Sequence, residues 1–389
     1  MKPKLTLSAG KERSLERNHL WVFSGAVKSI DSQLSEGAFV DVYSSQNQYL
    51  GSGFYQKSSI TVRIITRNQQ ESVADVIQQK IALCFEGRKL IGFPNKETDV
   101  YRLVHGEGDE LPGLVVDVYA KTAVVQLHAS GWLPYRQLIA ETIVALSNKT
   151  INSVFDKSAE SLGNLSKNSW LIGEEQASIQ VKEFGHSFEI DVENGQKTGF
   201  FIDQRYNRKL LGEFSKGKKV LNTFCYSGGF SVYALKNKAA HVLSIDSSKK
   251  AVQLTDINVE LNGFDESHHQ SVCADVLPWL TNNTEIFDVV VLDPPAFAKH
   301  KSARHKAIQA YKRLNLMAMQ CMPKNGILFT FSCSQVVDSA MFRGAVMSAA
   351  IECGRQVQIL HQLSQPADHT INIFHPEGEY LKGLVLRVV

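Results

Sequence analysis

Two positions in this 389-residue chain put reactive side chains at the ends of continuous apolar runs. Phe287-Asp288-Val289-Val290-Val291-Leu292 stops on Asp293-Pro294-Pro295-Ala296-Phe297, and Gly326-Ile327-Leu328-Phe329-Thr330-Phe331 stops on Ser332-Cys333-Ser334. A thiol and a carboxylate so placed suit nucleophilic catalysis, with a thiolate adding to an electrophilic carbon and an acid offsetting the charge that develops. A third stretch, Val220-Leu221-Asn222-Thr223-Phe224-Cys225-Tyr226-Ser227-Gly228-Gly229-Phe230-Ser231, reads as a strand, a glycine turn and a helix start. Paired glycines let backbone approach a ligand, and a helix start offers unpaired N–H groups. The next apolar run, His241-Val242-Leu243-Ser244-Ile245-Asp246, ends in an acid about 20 residues on, where a carboxylate can grip ribose hydroxyls in a doubly wound α/β fold. A dinucleotide fingerprint needs three spaced glycines; only the pair Gly228-Gly229 is present, which argues against nicotinamide or flavin.

Positioning these groups takes an open, mostly parallel sheet, in which ligands bind at the carboxyl ends of strands, so that all four run ends face one crevice. A helix follows Asp246 through Asn262, and a further strand ends at Ala274-Asp275, where the acid is either a ligand group or a helix cap. Two tail segments, 355–360 and 381–389, read as a closing antiparallel pair. Lys299, Lys301, Arg304 and Lys306 form a basic stretch just after Asp-Pro-Pro, placed either to meet phosphates or to solvate a helix face. His268-His269 lies in a polar loop without partners and reads as solvated.

Composition bounds the rest. With 43% hydrophobic and 21% charged residues the chain reads as globular, and its length calls for two or three domains. No run of about 18 apolar residues exists, and the start lacks the apolar segment of a signal peptide, so a cytoplasmic protein without a membrane span is expected. Cys84, Cys225, Cys273, Cys321, Cys333 and Cys353 are scattered with no Cys-x-x-Cys pair, which argues against zinc and against a disulfide framework. Free thiols leave one of them available for chemistry.

Net charge is +3, unevenly spread: residues 1–70 carry nine Lys/Arg against five Asp/Glu, including Lys4, Arg13 and Arg17. Such a bias suits either RNA docking or an ordinary solvated surface. This part alternates polar and apolar residues in short runs, such as 38–43 and 60–65, between glycines, as in a small β-barrel. His19 is better read as packing or hydrogen-bonding than as a ligand. Residues 71–96 read as a helix with Val73, Val76, Ile77 and Ile81 on one face. The polar stretch 162–178 marks a seam, and Gly185 a hairpin. The expected division is 1–70, a central α+β segment 71–180, and a catalytic domain 181–389.

Residues 222–231, Asp246, 293–297 and 332–334 resemble the nucleotide-binding turn, ribose acid, Asp-Pro-Pro motif and catalytic-cysteine motif of class I S-adenosylmethionine-dependent methyltransferases. More narrowly, the chain resembles the cytosine-5 methyltransferases of large-subunit (23S) ribosomal RNA. His19-Leu20-Trp21-Val22-Phe23-Ser24-Gly25-Ala26-Val27 and 51–55 are similar to stretches of the PUA domain that opens those enzymes, and Gly108-Asp109-Glu110-Leu111-Pro112-Gly113-Leu114 to their central domain. In their place for arginine-bearing residues this chain has Phe155-Asp156-Lys157-Ser158. The segment 193–208, Glu-Asn-Gly-Gln-Lys-Thr-Gly-Phe-Phe-Ile-Asp-Gln-Arg-Tyr-Asn-Arg, matches a family motif that packs over the cofactor.

The resemblance implies a Rossmann-like α/β catalytic domain, mostly parallel with a closing antiparallel strand, preceded by a PUA β-barrel and a central α+β domain. It implies S-adenosylmethionine as cofactor, held by Thr198, Phe200, Asp203, Gln204, Arg205, Asn222, Phe224, Tyr226, Gly228, Gly229, Asp246, Asp275 and Asp293. It assigns Cys333 as nucleophile toward carbon 6 of the base, which makes carbon 5 able to attack the sulfonium methyl, with Asp293 on the base edge. Ribosomal RNA is the expected partner, contacted through Lys4, Arg13, Arg17 and the 299–306 stretch. No metal and no membrane are expected, and the sequence leaves a homodimer open. Two rival readings remain: a methyltransferase acting on a purine nitrogen, which shares the Asp-Pro-Pro-aromatic signature but needs no thiol, and a non-catalytic RNA-binding assembly factor.

Overall fold

The computed structural model describes residues 2–30, 34–176, 178–298 and 300–389. Two compact units emerge, one of Met1–Lys182, Ile190–Ile202 and Ala367–Gly378, the other of Glu183–Glu189, Asp203–Pro366 and Glu379–Val389.

The first unit holds two sheets. β1 (Lys4–Leu7), β2 (Trp21–Phe23), β3 (Val27–Ile30), β4 (Phe39–Tyr43), β5 (Tyr49–Tyr55) and β6 (Ile60–Thr66) form a six-stranded sheet in the order β2-β6-β5-β4-β1-β3. Alternation buries Leu5, Leu7, Val40, Val42, Val62 and Ile64 in one cluster. β7 (Val100–His105), β8 (Leu114–Tyr119), β9 (Thr122–Leu127), β10 (Ser153–Asp156) and β11 (Ser169–Ile172) form a five-stranded sheet covered by the helices Val73–Leu90 and Arg136–Leu146. The first helix starts where its sequence says it should, because Ser72 and Asp75 make a reciprocal capping box. Phe54 and Ile65 pack into this second core, Phe54 against Trp132 at 4.8 Å between ring centroids, so the segments before and after residue 70 share a core.

β12 (Ile179–Glu183) and β13 (His186–Ile190) are joined by a tight turn at Phe184-Gly185, both left-handed, and here the chain passes from the first unit to the second.

The second unit is a seven-stranded sheet of β14 (Lys219–Thr223), β15 (His241–Asp246), β16 (His269–Cys273), β17 (Val289–Leu292), β18 (Gly326–Ser332), β19 (Val357–Leu363) and β20 (Lys382–Val388). Its order is β16-β15-β14-β17-β18-β20-β19, parallel except for β20, which runs antiparallel to both neighbours. This is the class I methyltransferase fold expected from the sequence. β17 is fully buried along its four residues, each contributing roughly 1.5–3 kcal/mol of burial. That explains an apolar run without alternation. Strand order reverses between β14 and β17, so the ligand crevice lies outside the carboxyl ends of these strands. Among the described residues no helix is long and apolar enough to cross a membrane.

Candidate active site

The loop leaving β14 is held in a conformation that side chains rarely adopt. Phe224, Tyr226 and Gly228 all have positive φ, at 55°, 47° and 72°. For the two aromatic residues this costs about 1–2 kcal/mol each, so neighbours must impose it. Cys225 N–H donates to the Ile245 carbonyl (3.0 Å), Thr255 Oγ1 to the Tyr226 carbonyl (2.9 Å), and Asn258 Nδ2 to the Ser227 carbonyl (2.9 Å). Gly228 is left-handed and a Cβ there would stand 2.7 Å from Thr255 Cγ2, so that position requires glycine, while one at Gly229 would stand 2.8 Å from Arg208 Cδ and force that side chain to shift.

Asp246, at the end of β15, ties this loop to the next strand. Its Oδ2 accepts from Tyr226 N–H (3.1 Å) and its Oδ1 from Ser248 N–H (2.9 Å). Each oxygen keeps a further lone pair, and the carboxylate is half-buried, which fits a ribose diol. Asn222, by contrast, is turned under the loop: its Nδ2 donates to Ser231 Oγ (2.8 Å), which meets Ser244 Oγ (2.7 Å), which meets His269 Nε2 (2.8 Å). This buried polar chain crosses three strands and fixes their register. His269 is therefore not a solvated loop residue; burial pushes its pKa down to about 4.

On the other side of the switch point, β17 and β18 are parallel neighbours with Leu292 opposite Thr330, so the Asp-Pro-Pro and Ser-Cys-Ser segments leave the sheet from adjacent strands. Cys333 Sγ lies 4.0 Å from the Pro294 carbonyl, and Ser334 Oγ donates to the Ala298 carbonyl (2.6 Å), which together pin the Ser-Cys-Ser segment to the Asp-Pro-Pro loop. The helix Arg304–Gln320 sends buried Tyr311 toward this corner, its ring 4.8 Å from Phe297. Burial pushes the Tyr311 hydroxyl up to about 12, with Cys333 and Asp293 among the groups it faces. The thiols divide by environment. Burial raises Cys84, Cys225 (to about 12) and Cys321 (to about 11), whereas Cys333 is half-buried at a strand end.

The segment preceding the loop has different jobs in its two parts. Thr198 and Phe200 belong to the first unit: Thr198 Oγ1 donates to Asp117 Oδ2 (2.5 Å), and Tyr119 Oη meets both Thr198 Oγ1 (2.8 Å) and Phe200 N–H (3.2 Å). Asp203, Gln204 and Arg205 belong to the second. Asp203 accepts from Tyr380 Oη (2.7 Å) and Gln204 from Asn207 Nδ2 (2.6 Å). Arg205 is fully buried on Glu183 (3.3 Å), which also takes two bonds from Arg208 and one from Tyr233 Oη. Both arginines thus anchor the helix Arg205–Glu213 behind the glycine loop. Asp275 is exposed and caps the helix Val276–Asn282 by accepting from Leu277 N–H (3.2 Å).

Of the basic positions, Lys301, Arg304 and Lys306 are exposed at the start of the helix Arg304–Gln320; Lys299 lies outside the described residues. Arg13 and Arg17 are exposed one helical turn apart, while Lys4 is spent on Asn47 and the Tyr43 ring. His19 Nδ1 accepts from Trp21 N–H (3.2 Å) and its Nε2 meets Glu377 (3.2 Å), and His375 joins them in a group whose ligand atoms lie within 4.8 Å of one another, so hydrogen bonding is not the one role open to it.

With this geometry in hand, the comparisons with known proteins converge. Residues 161–331 match the S-adenosylmethionine-dependent methyltransferase family, and residues 5–67 the PUA-like domain. The ribosomal RNA large subunit methyltransferase I of Pseudoalteromonas atlantica is 37% identical over the full length of both chains, and that of Shewanella amazonensis 38%. The chain belongs to this family. A solved methyltransferase complexed with S-adenosylhomocysteine superposes with a TM-score of 0.87 at 23% identity, covering both chains completely, which shows a common fold. The cofactor of this family is S-adenosylmethionine.

Two residues beside the thiol escaped the sequence reading, Tyr311 and Lys382. Lys382 did leave a signal: a lysine inside Leu381-Lys382-Gly383-Leu384-Val385 interrupts an otherwise apolar strand, and such a charge must find partners.

Proposed function

We propose that this methyltransferase modifies carbon 5 of a cytosine in large-subunit ribosomal RNA, through a covalent bond between Cys333 and the base. The observation that carries this reading is the half-buried Cys333 thiol held against the Asp-Pro-Pro loop on the neighbouring strand. S-adenosylmethionine, when bound, supplies an electrophilic methyl group. Cys333 as thiolate adds to carbon 6; the S–C bond forms as the C5=C6 π pair moves into the ring. Asp293 holds the base edge near its ring nitrogen and offsets the charge. Carbon 5 takes the methyl as the sulfonium S–CH3 bond breaks and the thioether departs; its proton then passes to water, and the pair left behind restores C5=C6 and expels Cys333 as thiolate.

The two prolines stiffen the pocket loop and remove N–H donors from it, and Phe297 offers a flat apolar wall for an unstacked base. RNA as substrate is supported by the PUA-like domain, the exposed Arg13, Arg17, Lys301, Arg304 and Lys306, and the names of the relatives. A ribosomal RNA substrate implies a cytoplasmic enzyme. We keep as part of the proposal a PUA-like segment 1–70 for RNA, a central segment 71–180, and catalysis in 181–389. The test is nucleoside mass spectrometry of 23S rRNA methylated by the purified protein: 5-methylcytidine is expected, and a methyl on a purine nitrogen would replace this reading by its rival.

A further inference from the structure

A lysine ammonium stands beside the thiol. β20 runs antiparallel to β18 with Lys382 directly opposite Ser332, the residue before Cys333. The Lys382 side chain is buried at 7% exposure, and its Nζ donates to the Ser334 carbonyl (2.7 Å), the residue after Cys333, and to the Tyr380 carbonyl (2.7 Å). The ammonium is thus held between the residue after the nucleophile and the residue two before Lys382 itself. Two of its three N–H donors are used by those carbonyls, and Cys333 is the first of the groups whose charge Lys382 feels.

We propose that Lys382 is a positioning residue for Cys333: its fixed ammonium stabilises the Cys333 thiolate and raises the fraction of reactive sulfur at neutral pH. This rests on the reading of Cys333 as nucleophile. An ordinary cysteine has a pKa of about 8.5 and is only a few per cent thiolate at pH 7, and an opposite charge within about 4–6 Å lowers a pKa by roughly 1–3 units. On ionisation the thiol proton leaves to water, sulfur keeps the pair, and Lys382 keeps its three protons, so no other co-reactant is required. The groups facing this corner are Cys333, Glu379 and Asp338 around Lys382, and Tyr311 and Asp293 around Cys333. Burial pulls the Lys382 pKa down, while Cys333, Glu379 and Asp338 support its charged form. Tyr311 is neutral over the working range because burial raises it, leaving Lys382 as the cation of the set.

The test needs no RNA. Alkylation of Cys333 by iodoacetamide is followed by peptide mass spectrometry from pH 5 to 10 in the full chain, for wild type, Lys382→Met, Lys382→Gln and Lys382→Arg. Exposed Cys273 serves as internal reference, and buried Cys84, Cys225 and Cys321 report unfolding. Lys382→Met should move the Cys333 midpoint up by one unit or more and slow its alkylation at pH 7 by roughly tenfold. Lys382→Gln, which keeps an N–H for the Ser334 carbonyl without the charge, should do the same, and Lys382→Arg should restore most of the low midpoint. A midpoint unchanged in Lys382→Met or Lys382→Gln with the buried cysteines still protected overturns the proposal. If Lys382→Met exposes the buried cysteines, the comparison of Lys382→Gln with Lys382→Arg decides in its place. A Lys382-dependent midpoint in an enzyme that forms no covalent RNA adduct would keep this electrostatic inference while removing the nucleophile reading, so the two fail separately.

Discussion

Replacing Asp246 by Ala should strip the cofactor site of its ribose acceptors. The carboxylate accepts from Tyr226 N–H at 3.1 Å and Ser248 N–H at 2.9 Å, and each oxygen has a second lone pair. Hydrogen bonds to a charged group are worth about 1.5–3 kcal/mol, which at 1.4 kcal/mol per decade is a loss of roughly 10- to 100-fold in affinity. Part of that loss arises indirectly, because Asp246 also helps to hold Tyr226 at its positive φ. Asp246→Asn separates the two contributions: its amide oxygen can still accept from the loop, so it should lose less than the alanine variant. Titration calorimetry with S-adenosylmethionine on the full chain measures both, with circular dichroism as the check of folding. A folded Asp246→Ala protein that binds within about twofold of wild type would refute the assignment of this acid to the ribose.

Gly228→Ala forces a side chain into the left-handed region and against Thr255, whose hydroxyl supports the same loop; together these cost about 2–4 kcal/mol and should weaken cofactor binding at least tenfold, again by calorimetry. His269 makes stability depend on pH. Its folded pKa, near 4, lies below the unfolded value of about 6.5, so nothing is lost above pH 6.5, and stability falls as the unfolded state takes up a proton between about pH 6.5 and 4. Urea denaturation at pH 7 and pH 5 should show that fall in wild type and a smaller one in His269→Gln. Removing Arg13 and Arg17 together should weaken RNA binding and reduce the slope of log affinity against log salt by about 1.4–1.8, and an unchanged slope would mark them as solvation only.

The second unit was largely legible in the sequence because parallel strands buried on both faces leave continuous apolar runs: 287–292 ends with β17 and 326–331 ends one residue before β18 does. The glycine loop, the acid at the end of β15 and the Asp-Pro-Pro and Ser-Cys-Ser segments all fall at strand ends, as their runs predict. Spacing could not tell which polar side chains look outward. Asn222 and Arg205 belong to the matching motifs, yet Asn222 lies under the loop on Ser231 of the helix that follows, and Arg205 on Glu183 at the end of β12, 22 residues earlier in the chain. His269 read as solvated because its partner Ser244 sits on a different strand, and Lys382 entered the site only through antiparallel pairing of the last strand with β18.

The central claim is the bond between Cys333 and the base, and mechanism-based trapping tests it most directly. RNA carrying 5-fluorocytosine at the target should, with S-adenosylmethionine present, leave a complex that survives denaturing electrophoresis and maps to Cys333, since fluorine cannot depart from carbon 5 as a proton does. Cys333→Ala should bind the cofactor normally, form no adduct and lose methyl transfer almost completely. Near-normal methylation by Cys333→Ala, or an adduct mapping to another cysteine, would contradict the account.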